Sequence, residues 1–353
     1  MKENDFYQIK DWKFQVLVDK DFEKNLFLTL KTSKREIYLQ FLTFEADKIG
    51  NQLSEILLEK AKKKVKIKIL IDWFINFKIN DTFLFLPTKK SFLALKEWWQ
   101  TLKLIKKLKN NQIEIKVINS PLKLNFFRNH KKLILIDGKI TYLGGFNISE
   151  HNFFWHDFAL KIENQKLNFF LKKEFLSDWE NKNNLKPERF ETTLENTSKI
   201  LILRKDKKQN LNEIYSYLLE RIKTAKNSIY LETPYLSQIP LIFELKKAAQ
   251  RNIKIKIILP QKNNLLIYRL SKPFYRAFFS HLNIEIFWYK KTSQMTHLKC
   301  VIIDEKISIF GSPNFNIFDN FFQELAVAIE NKNLAKILIE KIFKKDIKNS
   351  SEK

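Results

Sequence analysis

Short apolar runs bounded by polar residues recur along the chain, and their lengths separate strands from helices. Residues 36–42 (EIYLQFL) are strand-like, and Leu53, Ile56, Leu57 and Ala61 follow at helical spacing before a second strand-like run at 65–71 (VKIKILI). Residues 228–231 (SIYL) lead in the same way through Ile242, Leu245 and Ala248 to 253–259 (IKIKIIL). Strand, helix, strand at this spacing predicts a βαβ unit with parallel pairing, once in each half. Two further apolar runs end in aspartate, HKKLILID at 130–137 and HLKCVIID at 297–304. If these are strands, their period of two sets histidine and lysine side by side on one face.

The two halves differ in length. Val65 to Ile253 is an offset of 188 and His130 to His297 one of 167, so the first half carries about 21 extra residues. They fall in 73–110, where Phe92, Leu95, Trp99, Leu102 and Ile105 recur at helical spacing with lysines between. Such a helix either packs its apolar stripe on its own sheet or lies in a membrane interface, with Trp98 and Trp99 adjacent. The polar stretch 181–199, containing Pro187, reads as the junction between halves and places the units at 1–190 and 191–353.

Composition narrows the class. At 44% hydrophobic and 14% aromatic residues the chain is that of a folded protein. The net charge of +25 points to a polyanionic partner, phosphates of nucleic acid or of lipid, without choosing between them. Cys300 is the only cysteine, so no intrachain disulfide forms and a reducing compartment is expected; within an apolar run it reads as a core thiol. No apolar run approaches the ~18 residues of a membrane span, and acids stand where a signal peptide would be apolar. Four of the five glycines, Gly138, Gly144, Gly145 and Gly311, lie in or just after the two aspartate-ending runs.

Those runs carry the chemistry. His130, Lys132 and Asp137 recur as His297, Lys299 and Asp304, and the agreement continues through Gly144 and Gly311, Asn147 and Asn314, and the acids Asp157 and Glu324. One HxK carries little weight, but two copies agreeing at six positions describe duplicated half-sites of one active site. A phosphodiester needs its charge neutralised, a nucleophile in line and a proton for the leaving oxygen. Lys132 and Lys299 supply charge, and Asn147 and Asn314 supply amide donors for the phosphate oxygens. One imidazole can attack phosphorus while the other serves as general acid and then base. Asp157 and Glu324 are candidates for orienting the imidazoles, each in its own half or across to the other. Asp137 and Asp304 complete the motif, although at strand ends an aspartate more often anchors a turn. His151 and His156 invite a metal reading, but no acid or cysteine completes a ligand set at zinc spacing, so no metal is expected. His281 has no partner pattern.

The duplicated HxKxxxxD pattern resembles the phospholipase D superfamily. Within it the chain is most similar to bacterial cardiolipin synthases, on RNHKKLILIDGKITYLGGFNI (128–148), WHD (155–157), ETPYL (232–236) and GSPNFN…NFFQE (311–324). The resemblance spans 36–329. It implies an α/β fold of two similar lobes, each a mixed sheet flanked by helices, with the active site at their interface. It also implies transphosphatidylation without cofactor or metal, in which one phosphatidylglycerol forms a phosphatidyl-histidine on His130, with His297 as acid and base, and a second resolves it to cardiolipin. Lipid hydrolysis, and phosphodiester cleavage in nucleic acid, stay open as alternatives. Members of this kind begin with membrane segments; none is visible here. The expectation is therefore a cytoplasmic protein bound peripherally to the inner face of the cell membrane. Asn316 stands where the family's second motif has aspartate, and Phe318 and Asp319 where it has Arg-Ser.

Overall fold

The computed structural model describes residues 6–120, 127–181, 188–195, 198–280, 282–291 and 294–352. Two mixed sheets organise the chain. The first runs, edge to edge, Phe6–Ile9, Trp12–Val18, Phe158–Glu163, Ile140–Gly144, Leu133–Ile136, Glu36–Phe41, Lys66–Asp72, Glu114–Ile118. The second runs Glu191–Leu194, Ser198–Asp206, Phe322–Glu330, Ile307–Gly311, Cys300–Ile303, Ser228–Glu232, Lys254–Pro260, Ile284–Tyr289, Ser350–Glu352. From the second strand to the eighth the two orders are the same. In both, three adjacent strands are parallel and the rest antiparallel. The βαβ units read from the sequence are present in each half.

Both faces of each sheet are covered, so the strands are continuous apolar runs and not alternating ones. Leu133 and Leu135 face one apolar layer and Ile134 and Ile136 another. Cys300 and Ile302, against Val301 and Ile303, repeat this 167 residues later. The outer layer of the first sheet is closed by helices Lys20–Thr32, Lys48–Lys62 and Lys89–Asn110, and that of the second by Glu213–Lys223 and Ile239–Gln250. The inner faces share one apolar layer, which includes Phe158 and Phe310 with rings 5.2 Å apart and side chains of helices Gln165–Glu180 and Lys332–Leu338. Cys300 is fully buried there, and burial pushes its thiol well above the usual range. Much of the junction between halves, 182–187 and 196–197, lies outside the described residues, as does His281.

One point left open is narrowed and one expectation changes. The extra segment of the first half forms a hairpin, Lys78–Ile79 with Thr82–Phe83, followed by Lys89–Asn110. That helix buries Ser91, Ala94, Thr101, Leu104, Ile105 and Leu108, while Phe92, Leu93 and Trp99 stand in solvent at 73%, 70% and 59% exposure. The histidine–lysine pairs are also not on strands. The ladders begin at Leu133 and Cys300, and the motif heads are extended segments just before them.

Candidate active site

Each motif head is sewn to the opposite lobe by main-chain bonds. Arg128–Asn129 pairs in parallel with Phe322 and Gln323 of the second sheet, and the His130 N–H donates to the Gln323 carbonyl at 2.9 Å. Reciprocally, His156 bridges to Thr296, and the His297 N–H donates to the His156 carbonyl at 2.8 Å. The strand-to-sheet register thus delivers both imidazoles to one place.

The acids cross over in the same way. Nδ1 of His130 lies 2.9 Å from Glu324 Oε1, and Nδ1 of His297 lies 3.0 Å from Asp157 Oδ2. Every acid serves the other half's histidine, which sequence spacing left open. With Nδ1–H committed to Glu324, Nε2 of His130 keeps its lone pair. Ser312 Oγ donates to Glu324, holding the longer carboxylate. The equivalent position in the first half is Gly145, where a Cβ would lie 2.3 Å from the shorter Asp157 carboxylate, so only a hydrogen fits. Phe322 stacks on His130 at 5.1 Å between centroids, and Trp155 tilts against His297 at 4.8 Å.

The lysines lie behind the histidines and do not line the cavity. Lys132 Nζ donates to the His130 carbonyl at 2.8 Å; Lys299 Nζ donates to the His297 carbonyl and sits 2.7 Å from its Nδ1. The two half-sites therefore differ, since only His297 has an ammonium against its ring. Burial, then Lys132 and Lys299, push His130 well below the usual imidazole range. Burial, then Lys299 and Lys132, do the same to His297. Burial also lowers Lys299 to about 8 and Lys132 well below its ordinary value. Burial raises Asp157 to about 6 and Glu324 to about 7. The resting site holds neutral imidazoles against acids that titrate near neutrality.

His130 and His297 face a common cavity of about 110 Å³, together with Asn147, Asn314, His151, Trp155, Tyr235 and Asn264. The side-chain oxygens of Asn147 and Asn314 are buried without a partner among the described residues, at equivalent positions of the two halves. A half-turn of each amide presents its NH₂ instead, so this pair is set for a polar ligand. Asp137 and Asp304 are not in the site. Asp137 accepts main-chain N–H groups of Lys34, Arg35 and Glu36, and Asp304 those of Lys226, Asn227 and Ser228. Each clamps the start of a parallel strand, which corrects their inclusion among reacting groups. Asn316 and Asp319 form a reciprocal cap on a short helical turn, and Asp319 accepts from Tyr215.

Sequence reading missed several members. Ser312 was visible in principle as the offset partner of Gly145. Tyr235 and Trp155 stand in stretches that carried the resemblance. Asn264 has no local signal. His156 proved to be a buried cross-link, with Nδ1 2.9 Å from Asp19 and Nε2 2.9 Å from Asp346, beside Glu232. Acids that distant in sequence could not be read from ligand spacing.

The chain is similar to known proteins over most of its length. The chain is 26% identical over 317 residues to a probable cardiolipin synthase of Bacillus subtilis, covering 83% of this chain and 57% of the relative. It is 28% identical over 346 residues to a cardiolipin synthase of Listeria welshimeri, covering 92% and 66%. The chain thus spans roughly three fifths to two thirds of these relatives' length. Among solved structures, a phosphatidylserine synthase of Haemophilus influenzae superposes with a TM-score of 0.75 over 99% of this chain and 89% of that one, at 14% identity, which speaks for the fold. Among the described residues no helix is long and apolar enough to cross a membrane. The family model described as cardiolipin synthase, PLD-like domain, matches residues 26–179 and 218–347, most of the chain and both half-sites, and the chain belongs to that family, within the phospholipase D superfamily.

Proposed function

We propose that residues 1–190 and 191–353 form two half-sites of a phosphatidyltransferase that joins two phosphatidylglycerol molecules into cardiolipin and glycerol. The observation that carries this is the crossed pairing of His130 with Glu324 and His297 with Asp157 around one cavity. The relatives' name, cardiolipin synthase, supplies the substrate class.

His130 is the nucleophile, because its Nδ1–H is held by Glu324 and its Nε2 is free to attack. The Nε2–P bond forms as the P–O bond to glycerol breaks, and a proton on His297 passes to that oxygen. The anionic phosphodiester beside His297, with Asp157 behind it, favours uptake of one proton from solvent as the substrate binds, and this gives the imidazolium from which the cycle starts. The second phosphatidylglycerol then gives its hydroxyl proton to His297 while its oxygen takes phosphorus from His130, so both imidazoles return to their starting states. Asn147 and Asn314 hold the equatorial oxygens through their NH₂ groups. Lys132 and Lys299, close behind, lower the energy of the charge that builds on phosphorus. Asp137 and Asp304 act only by fixing the strands.

The test is incubation of the protein with phosphatidylglycerol vesicles and mass spectrometry of the lipids. Cardiolipin with released glycerol is the expected product, with rates in His130→Ala and His297→Ala lower by about 10³-fold or more while both variants fold. Phosphatidic acid alone would mean that water resolves the phosphohistidine. No lipid product, with cleavage of DNA, would replace the lipid reading altogether.

A further inference from the structure

The substrate proposed above has acyl chains that a cavity of about 110 Å³ cannot take in, so its mouth must meet the apolar phase that holds them. Exposed apolar side chains gather around that mouth from both lobes. On the first, the hairpin contributes Asp81 to the cavity wall and Phe83 to the surface. Phe85 packs 5.5 Å from Phe83, and Ser91 Oγ donates to the Phe83 carbonyl, which ties the hairpin to the helix bearing Phe92, Leu93 and Trp99. On the second lobe, Asn264 donates to Asp81 across the mouth at 3.1 Å. Directly after it come Leu266, Ile267 and Leu270, each at least 65% exposed. Tyr268 in the same turn bonds Ser237, which accepts from the Ile317 N–H, bringing exposed Ile317 and Phe318 to the same rim. The side chains so connected are Phe83, Phe85, Phe92, Leu93 and Trp99 on one lobe and Leu266, Ile267, Leu270, Ile317 and Phe318 on the other, all of them exposed.

Charge accompanies this rim. Residues 261–280 contain Lys262, Arg269, Lys272 and Arg276 and no acid, and Lys89, Lys90 and Lys96 flank Phe92 and Leu93 on their helix. Aromatic and aliphatic side chains set among cations match an anionic bilayer, where the former enter the interface and the latter meet phosphate. Nucleic acid has no use for exposed leucine and isoleucine at this density, and apolar patches of this extent mark interaction sites.

We infer that the face formed by 83–99, 266–274 and 317–318 docks on an anionic phospholipid bilayer, with the cavity mouth toward the lipid, so that substrate enters without leaving the membrane. This rests on the lipid reading of the site, but it is tested by binding alone. The 353-residue chain, its Leu93→Glu/Trp99→Glu variant and its Ile267→Glu/Leu270→Glu variant are sedimented with vesicles of phosphatidylcholine containing phosphatidylglycerol. The altered side chains are exposed, and unfolding temperatures close to that of the unaltered protein confirm folding. We expect the unaltered protein to bind, weakly to pure phosphatidylcholine, and each double variant to lose more than about tenfold in affinity. Turnover of dispersed short-chain phosphatidylglycerol stays the same in the variants. Variants that bind vesicles like the unaltered protein overturn the docking face, as does light scattering in which the unaltered protein is a dimer and both variants are monomers. Vesicle binding that the variants lose, with no lipid product from the unaltered protein, leaves the face standing and removes the transferase reading. Product from the dispersed lipid with no vesicle binding does the reverse.

Discussion

At the scale of single residues, the site is built from groups whose burial opposes their charge. Glu324 is raised to about 7 by burial, and an acid raised in the folded state stabilises only while protonated. That contribution is present at low pH and lost as pH rises through about 7, so the ionised carboxylate that His130 needs costs the fold stability at alkaline pH. Glu324→Gln should therefore unfold at higher denaturant at about pH 8, by on the order of 1–3 kcal/mol, with the gain gone by about pH 5. Its kcat should fall about 10²-fold or more, because an amide holds the wrong charge against Nδ1. A variant less stable than the unaltered protein at pH 8 would mean that the bonds from Ser312 and His130 outweigh the buried charge. Activity of the unaltered protein should decline as pH falls from 7 toward 6, where Glu324 and then Asp157 lose their charge.

At the scale of elements, the repeated aspartates belong to folding. Each gathers three consecutive main-chain N–H groups at the start of a parallel strand, donors that the ladder there does not use. Asp137→Ala should lower stability by ~2 kcal/mol in urea unfolding and change kcat by less than about threefold. A collapse of kcat in a folded Asp137→Ala would return this residue to the chemistry. The strands themselves were legible, since LILI and CVII are apolar on both faces and their ends are marked by Asp-Gly and Asp-Glu turns. The helix Lys89–Asn110 was legible as a helix but not in its orientation. Hydropathy put the large residues Phe92 and Trp99 on one apolar stripe, facing either the sheet or a membrane interface. The fold instead buries Ser91 and Thr101, because Ser91 donates to the Phe83 carbonyl and Thr101 accepts the Ala46 N–H at 2.9 Å. Hydrogen bonds to a neighbouring segment override apolar periodicity, and periodicity carries no trace of them.

At the scale of the whole molecule, the repeat made the paired site readable, while its cross-connections depend on contacts between residues over a hundred positions apart. Spacing could align Asp157 with Glu324, but only the meeting of the two sheets decides that each reaches the other lobe. His156 is the extreme case, an imidazole gripped by Asp19 from the first lobe and Asp346 near the C-terminus, with Tyr289 stacked on it at 5.0 Å and Glu232 and Asp157 close by. Its main-chain carbonyl receives the His297 N–H, so this cross-link and the position of the proposed acid–base are mechanically joined. Burial works against the imidazolium, but the two carboxylates hold its pKa well above the usual value. A histidine raised in the folded state contributes stability that is complete below its unfolded value near 6.5 and is lost as pH rises through the folded one. His156→Gln should therefore cost on the order of 3 kcal/mol near pH 6, since it leaves the buried Asp346 and the half-buried Asp19 without their cation. The gap to the unaltered protein should narrow steadily as pH rises above 6.5 and through the raised folded value, and unfolding curves at increasing pH measure it. A gap that stayed constant would mean that the imidazole is neutral and that the proton resides on the acids around it.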